Sequence, residues 1–243
     1  MKELLITDLD GTLLDSNGKL SDISAEIINQ FISTGGAFTF ATARTASSAV
    51  KITEKININT PCILMNGVSI YDIQKKKYIK NEYINNGTAV TVAAIFKQCN
   101  IKPFMYKIKN NRLFALYTGF ENKQMYEFFL LRRDKYDKPF IKCSDFACEA
   151  DESVVYFTTL GEYESLAPVK SRLDKIDNIS SAFYKDVYNK GLWFLEVFSN
   201  RASKSNGIKF LKKYGTFDYV TCFGDNLNDL PMFQIYAYSQ QLR

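Results

Sequence analysis

Few folds accommodate the opening of this chain, in which the apolar run Leu4-Leu5-Ile6 ends abruptly in Asp8-Leu9-Asp10-Gly11-Thr12. A continuous rather than alternating apolar run is the pattern of a strand buried on both faces. Such a strand needs helices above and below it, and the next residues supply one. Ile27, Ile28, Phe31 and Ile32 form one helical stripe behind a cap at Ser24, and Gly35-Gly36 stops it. Ala37 to Ala41 reads as a second strand. It is followed by Thr42-Ala43-Arg44, a helix to about Ile56, and a third strand at Cys62 to Met65. Strands and helices in alternation predict an α/β domain built on a parallel sheet.

The pattern then changes. Phe104 to Ile108 and Arg112 to Tyr117 read as strands joined through Asn110-Asn111, a pair suited to a tight hairpin turn. Helices follow at about Glu121 to Arg133 and Glu162 to Ile176, with strands at Ser153 to Thr158, Ser181 to Lys185 and Leu192 to Phe198. Hairpins mixed with helices predict an α+β insertion, placed at residues 82–188. The parallel pattern resumes in residues 189–243. A helix from Ser205 to Tyr214 leads to a strand at Tyr219 to Phe223, then to Gly224-Asp225-Asn226-Leu227-Asn228-Asp229 and a last helix.

Composition narrows the chemistry. The chain contains no histidine, which excludes Ser-His-Asp and Cys-His mechanisms and leaves proton transfer to carboxylates or lysines. Any metal is expected to be a hard ion held by oxygen. Five scattered cysteines argue against a disulfide framework and fit a reducing cytoplasm. The net charge of +5 is spread over both parts of the chain, so no basic nucleic-acid surface is expected. No apolar run is long enough to span a bilayer, and no membrane partner is expected. Lys75-Lys76-Lys77 and Asn66-Gly67 each read as a hairpin turn, with Asn66 a lesser candidate to border a site.

In open parallel sheets, ligands bind beyond the carboxyl ends of the strands. Asp8 and Asp10, Thr42, and Asp225 with Asp229 all fall there, and Lys204 opens the helix before the last strand. Asp8 and Asp10 point to one side of an extended segment. Two carboxylates so close need a cation between them or a shared proton, and either suits phosphoryl transfer; a lone Asp-x-Asp is more often a turn. Thr42 suits a helix cap and, with the helix N-terminus behind it, a phosphate site. Asp225, Asn228 and Asp229 suit a magnesium site or a capped helix start. Arg44 suits an ion pair, with substrate contact as the alternative. Lys204 alone carries little information.

Together these motifs resemble the haloacid dehalogenase-like hydrolase superfamily, in its Cof-type sugar-phosphatase branch. Asp8 to Thr12 is similar to the first motif of that family, Thr42-Ala43-Arg44 to the second, Lys204 to the third and Gly224 to Asp229 to the fourth. Ala43 stands where the family usually has glycine. The resemblance implies a Rossmann-like core at 1–81 and 189–243, with residues 82–188 as a cap that closes over the site. It further implies Asp8 as nucleophile forming an aspartyl-phosphate and Asp10 as general acid and base. Thr42, Ala43, Lys204 and Asn228 would hold the phosphoryl group. Asp8, the Asp10 carbonyl and Asp225 would hold magnesium, oriented by Asp229 and Asn228. The substrate it implies is a small phosphorylated metabolite, such as a sugar phosphate. The family usually continues past the point where this chain stops, with another strand and helix.

Three other readings share these residues. A phosphomutase would return the phosphoryl group to its product. A phospho-acceptor signalling domain uses similar groups at about half this length. A binding or regulatory homologue would have lost turnover. Phe104, Tyr106, Tyr156 and Phe183 are candidates for substrate contact, though strand alternation makes core packing the expected role for most.

Overall fold

The computed structural model describes residues 2–186, 189–226 and 229–233. The chain divides into two compact units, Met1–Asn81 with Ala202–Arg243, and Glu82–Arg201.

In the first unit, β1 (Glu3–Thr7) lies between β2 (Ala37–Phe40) and β12 (Tyr219–Phe223) and runs parallel to both. This central position explains its continuous apolar run: Leu4 and Ile6 are fully buried, each stabilising the fold by about 1.5–3 kcal/mol. A parallel bridge between Ala41 and Ile63 carries the arrangement on to β3 (Cys62–Leu64). That strand then pairs antiparallel with β4 (Ser69–Asp72), which pairs with β5 (Lys77–Asn81). Asn66-Gly67 lies in the first connection and Lys75-Lys76 in the second, while Lys77 already belongs to β5 and pairs with Asp72. Because β1, β2, β3 and β12 are parallel, their carboxyl ends deliver Asp8, Thr42, Met65 and Gly224 to one edge.

Helix α1 (Asp22–Ser33) is capped by Ser21, whose hydroxyl accepts from the Ser24 N–H at 3.0 Å. The cap therefore lies three residues before the serine expected to provide it, and Ser24 belongs to the first turn. Ala25 is the buried residue of this helix, Ile28, Phe31 and Ile32 of the stripe are half-buried, and Ile27 alone of the four is largely exposed. Helix α2 (Ala46–Ile52) ends short of Ile56. Helix α7 (Lys204–Tyr214) starts behind Ser203, whose hydroxyl accepts from the Asn206 N–H, and buries Gly207, Ile208 and Leu211. A single turn, α8 (Leu230–Phe233), buries Met232. The expectations for Asn228 and for the end of the chain lie outside the described residues.

The second unit is a six-stranded sheet in the order β10-β11-β9-β6-β7-β8. Its strands are β6 (Phe104–Lys109), β7 (Arg112–Tyr117), β8 (Phe140–Lys142), β9 (Val154–Glu162), β10 (Ile179–Lys185) and β11 (Leu192–Ser199). Asn110 and Asn111 both adopt positive φ, the backbone a two-residue hairpin between right-twisted strands requires. Met105, Phe157, Leu195 and Val197 form one face of the core, packed with residues of α3 (Asn86–Gln98) and α6 (Tyr163–Leu173). On α4 (Lys123–Tyr136), Phe128 stacks on Phe104 from the other face, and α5 (Phe146–Glu149) is a single turn. Phe104, Tyr106 and Tyr156 are buried, and Phe183 stacks on Tyr163; all four make ring contacts within this sheet unit.

The junction expected between 188 and 189 falls instead between Arg201 and Ala202. Strand β11 pairs along its length with both β10 and β9, so residues 189–201 belong to the second unit and not to the parallel core.

Candidate active site

The site is assembled within the first unit. Asp8 follows β1 and its N–H donates to the Phe223 carbonyl at 2.8 Å, which extends the β1–β12 pairing to the first carboxylate. Its side chain is only 7% exposed. The Lys204 Nζ, fully buried at the start of α7, donates to Asp8 Oδ1 at 2.8 Å and to Asp229 Oδ1 at 2.5 Å. A buried ammonium is tolerated only when paired, and here two carboxylates hold it.

Asp229 is also fully buried. Its Oδ2 accepts the backbone N–H groups of Asp225 and Asn226 at 3.1 and 3.0 Å. The turn after β12 is thereby wrapped around one carboxylate, and this fixes Asp225. Asp225 Oδ1 accepts the Thr12 hydroxyl at 2.8 Å, so the first and fourth motifs are joined directly. Carboxylate oxygens of Asp8, Asp225 and Asp229 lie within 4.8 Å of one another.

Gly11 makes this approach possible. Its φ is +83°, and a Cβ there would stand 2.3 Å from Asp225 Oδ2. Only glycine combines that backbone conformation with that proximity. A similar condition holds at Gly67, where φ is +96° and a Cβ would lie 2.1 Å from the Ser203 carbonyl oxygen. The β3–β4 turn therefore packs directly on the cap of α7 and helps fix Lys204. Asn66 is buried, and its N–H donates to the Thr42 carbonyl.

Thr42 is buried at the end of β2, with its N–H bonded to the Ile63 carbonyl at 2.9 Å. Its hydroxyl oxygen accepts the Arg44 N–H at 3.2 Å, which leaves the hydroxyl proton to donate elsewhere. Thr45, not Thr42, stands at the N-cap position of α2. Ala43 is half-buried beside it. Asp10 is held by a guanidinium fork: Arg44 Nε donates to Oδ2 at 2.7 Å and Nη2 to Oδ1 at 2.5 Å. Thr12 and the partner of Arg44 were not legible as site contacts. The signals available were a hydroxyl two residues past Asp10 and an arginine two past Thr42.

Burial pushes the Asp8 carboxyl up to about 6, against the pull of Lys204 and with the help of Asp229. Burial also pulls the Lys204 ammonium down, but Asp8 and Asp229 more than offset it and hold it above its ordinary value. Three carboxylates and one ammonium leave a formal charge of −2 at this spot, apart from the neutral Asp10–Arg44 pair. An all-oxygen donor set with that charge fits a hard divalent cation. Asp8 and Asp225 could hold it, whereas both oxygens of Asp229 are already engaged by Lys204 and the turn.

The sequence profile of the haloacid dehalogenase-like hydrolases matches residues 5–241. A protein of Buchnera aphidicola subsp. Baizongia pistaciae, whose name assigns it provisionally to the phosphatases, is 26% identical over 249 residues, covering 97% of this chain and 84% of its own. Phosphatase YwpJ of Bacillus subtilis is 23% identical, over 96% of this chain and 86% of its own. The crystal structure of a haloacid dehalogenase-like hydrolase from Bacteroides thetaiotaomicron superposes with a TM-score of 0.77 at 19% identity, over 96% and 85% of the two chains. With four motifs converging on one sheet edge and a family profile spanning nearly the whole sequence, the chain belongs to the haloacid dehalogenase-like hydrolases.

Proposed function

We propose that this protein is a magnesium-dependent phosphatase that acts through a phosphorylated Asp8. The observation that carries the reading is the Asp8 carboxylate itself. It is buried, gripped on one oxygen by Lys204, and set among acidic groups whose net charge calls for a divalent cation. A merely structural aspartate would not need two further buried charged groups to hold it.

In this reading Asp8 attacks the phosphorus of a bound monoester, forming a bond from a carboxylate oxygen to phosphorus as the bond to the leaving oxygen breaks. Asp10 gives its proton to that departing oxygen. Water then attacks the same phosphorus, Asp10 takes a proton from it, and the bond to Asp8 breaks, which releases phosphate, restores the Asp8 carboxylate and returns Asp10 to its protonated form. Lys204 neutralises charge beside Asp8 throughout. The Thr42 hydroxyl donates to a phosphoryl oxygen, and Ala43 and Asn228 are further candidates to hold the phosphoryl group. Magnesium, when bound, would be held by Asp8, Asp225 and the Asp10 carbonyl, and would supply charge neutralisation at the phosphoryl group. The expected substrate is a small phosphorylated metabolite, and the resemblance to sugar phosphatases favours a sugar phosphate.

Hydrolysis of p-nitrophenyl phosphate tests the reading, with magnesium and with EDTA, for wild type and for Asp8→Asn. Release that requires magnesium and disappears in the variant supports it. Undiminished release by a folded Asp8→Asn would contradict it.

A further inference from the structure

Arg44 has no part in the mechanism above, yet its guanidinium donates to both carboxylate oxygens of Asp10. We infer that Arg44 is a positioning residue that orients the Asp10 side chain for the water-activating half of turnover; this rests on the phosphatase reading just given. Both Asp10 oxygens are met by separate guanidinium nitrogens, at 2.7 and 2.5 Å. The two side chains are 16% and 26% exposed, so the pair is partly shielded from water and stronger than a surface ion pair. The arginine is itself anchored. Its N–H donates to the Thr42 hydroxyl oxygen and its carbonyl accepts from the Met65 N–H at 3.1 Å. A loop that simply needed a surface ion pair would not require this double backbone anchorage.

The chemistry gives the fork a direction. A guanidinium donates to both carboxylate oxygens and can accept nothing. It therefore binds the form of Asp10 that receives a proton, not the form that gives one. Asp10 must receive a proton when water attacks the phosphoryl group on Asp8: the water oxygen forms the new bond to phosphorus, its proton goes to Asp10, and the bond to the Asp8 oxygen breaks. Loss of Arg44 should slow this second half-reaction and spare the first whenever the leaving group needs no proton.

The leaving group of p-nitrophenyl phosphate, p-nitrophenolate, departs without a proton, so the substrate separates the halves. Steady-state and single-turnover release with magnesium would be measured for wild type, Arg44→Gln, Arg44→Lys and Asp8→Asn. In Arg44→Gln, kcat and KM are expected to fall together, by about 10–100-fold, with kcat/KM nearly unchanged. A burst approaching one p-nitrophenolate per enzyme should appear. Arg44→Lys, which keeps the charge but not the fork, should fall between. A rise in KM without a burst would overturn the inference and make Arg44 a substrate contact. Unchanged kinetics with a lowered melting temperature would overturn it too and leave a structural ion pair. Asp8→Asn keeps the two ideas apart: release that survives in it removes the phosphatase reading, whereas Asp8-dependent release without the burst removes only the role of Arg44.

Discussion

Replacing Asp8 by asparagine is expected to make the metal-free protein more stable while removing its activity. Burial raises the Asp8 carboxyl from an ordinary 3.8 to about 6. A carboxylate whose folded value lies above its unfolded value binds protons more readily in the native state. Stability therefore falls as pH rises through the interval between those two values, and the full penalty is present above about 6. The gap of roughly two units corresponds to about 3 kcal/mol at pH 7. Asparagine removes the charge but places an amide near the Leu9 N–H that bonds the carboxylate, which returns about 1 kcal/mol. The net gain is about 2 kcal/mol, or roughly 4–8 °C in melting temperature for a chain of this size. Thermal unfolding in EDTA, followed by circular dichroism from pH 4 to pH 8, measures it. The gain should be full at pH 7 and shrink towards pH 4, where wild-type Asp8 acquires its proton. A variant that melts below wild type at pH 7, or a gain independent of pH, would refute the argument that burial dominates at this carboxylate.

The remaining expectations concern the shape and charge of the same site. Gly11→Ala should push Asp225 away from Asp8, since the new methyl group would overlap its carboxylate; a displacement of that size costs roughly 100-fold in kcat/KM, measured with p-nitrophenyl phosphate. Magnesium at 100 times its dissociation constant should stabilise wild type by about 2.7 kcal/mol. In Asp225→Ala the same addition should have far less effect, and comparing melting curves with and without EDTA checks this without any turnover. A magnesium-induced shift preserved in Asp225→Ala would remove that residue from the ligand set.

Much of the core was legible because burial on both faces leaves a distinctive mark. Leu4 to Ile6 reads as a central strand, and the strand ends place Asp8, Thr42 and Asp225 together before any coordinate is known. Asn110-Asn111 was equally readable, because its turn demands positive φ. The boundary at 188/189 was not. A segment such as Leu192 to Ser199 carries no sign of which sheet it joins, and its pairing with β9 and β10 is a tertiary choice. Helix α3 is hard to read from sequence although Asn85 caps it and Val92 and Phe96 share its buried face; its β-branched residues blur the helical period. Ser24 and Ser21, three residues apart, offer the same capping hydroxyl, and the structure uses Ser21. Within the site, the carboxylates announced themselves by number and spacing. The Arg44–Asp10 fork and the Thr12–Asp225 bond did not, since each joins residues far apart in sequence.

Chemical capture of the phosphorylated residue tests the central claim most directly. Enzyme mixed with substrate and magnesium would be quenched in acid and reduced with borohydride, which converts an aspartyl-phosphate to homoserine, and the peptides then analysed by mass spectrometry. Homoserine at position 8, dependent on both substrate and magnesium, is the expected result. Turnover without modification of Asp8, or with the modification at another residue, would contradict the mechanism.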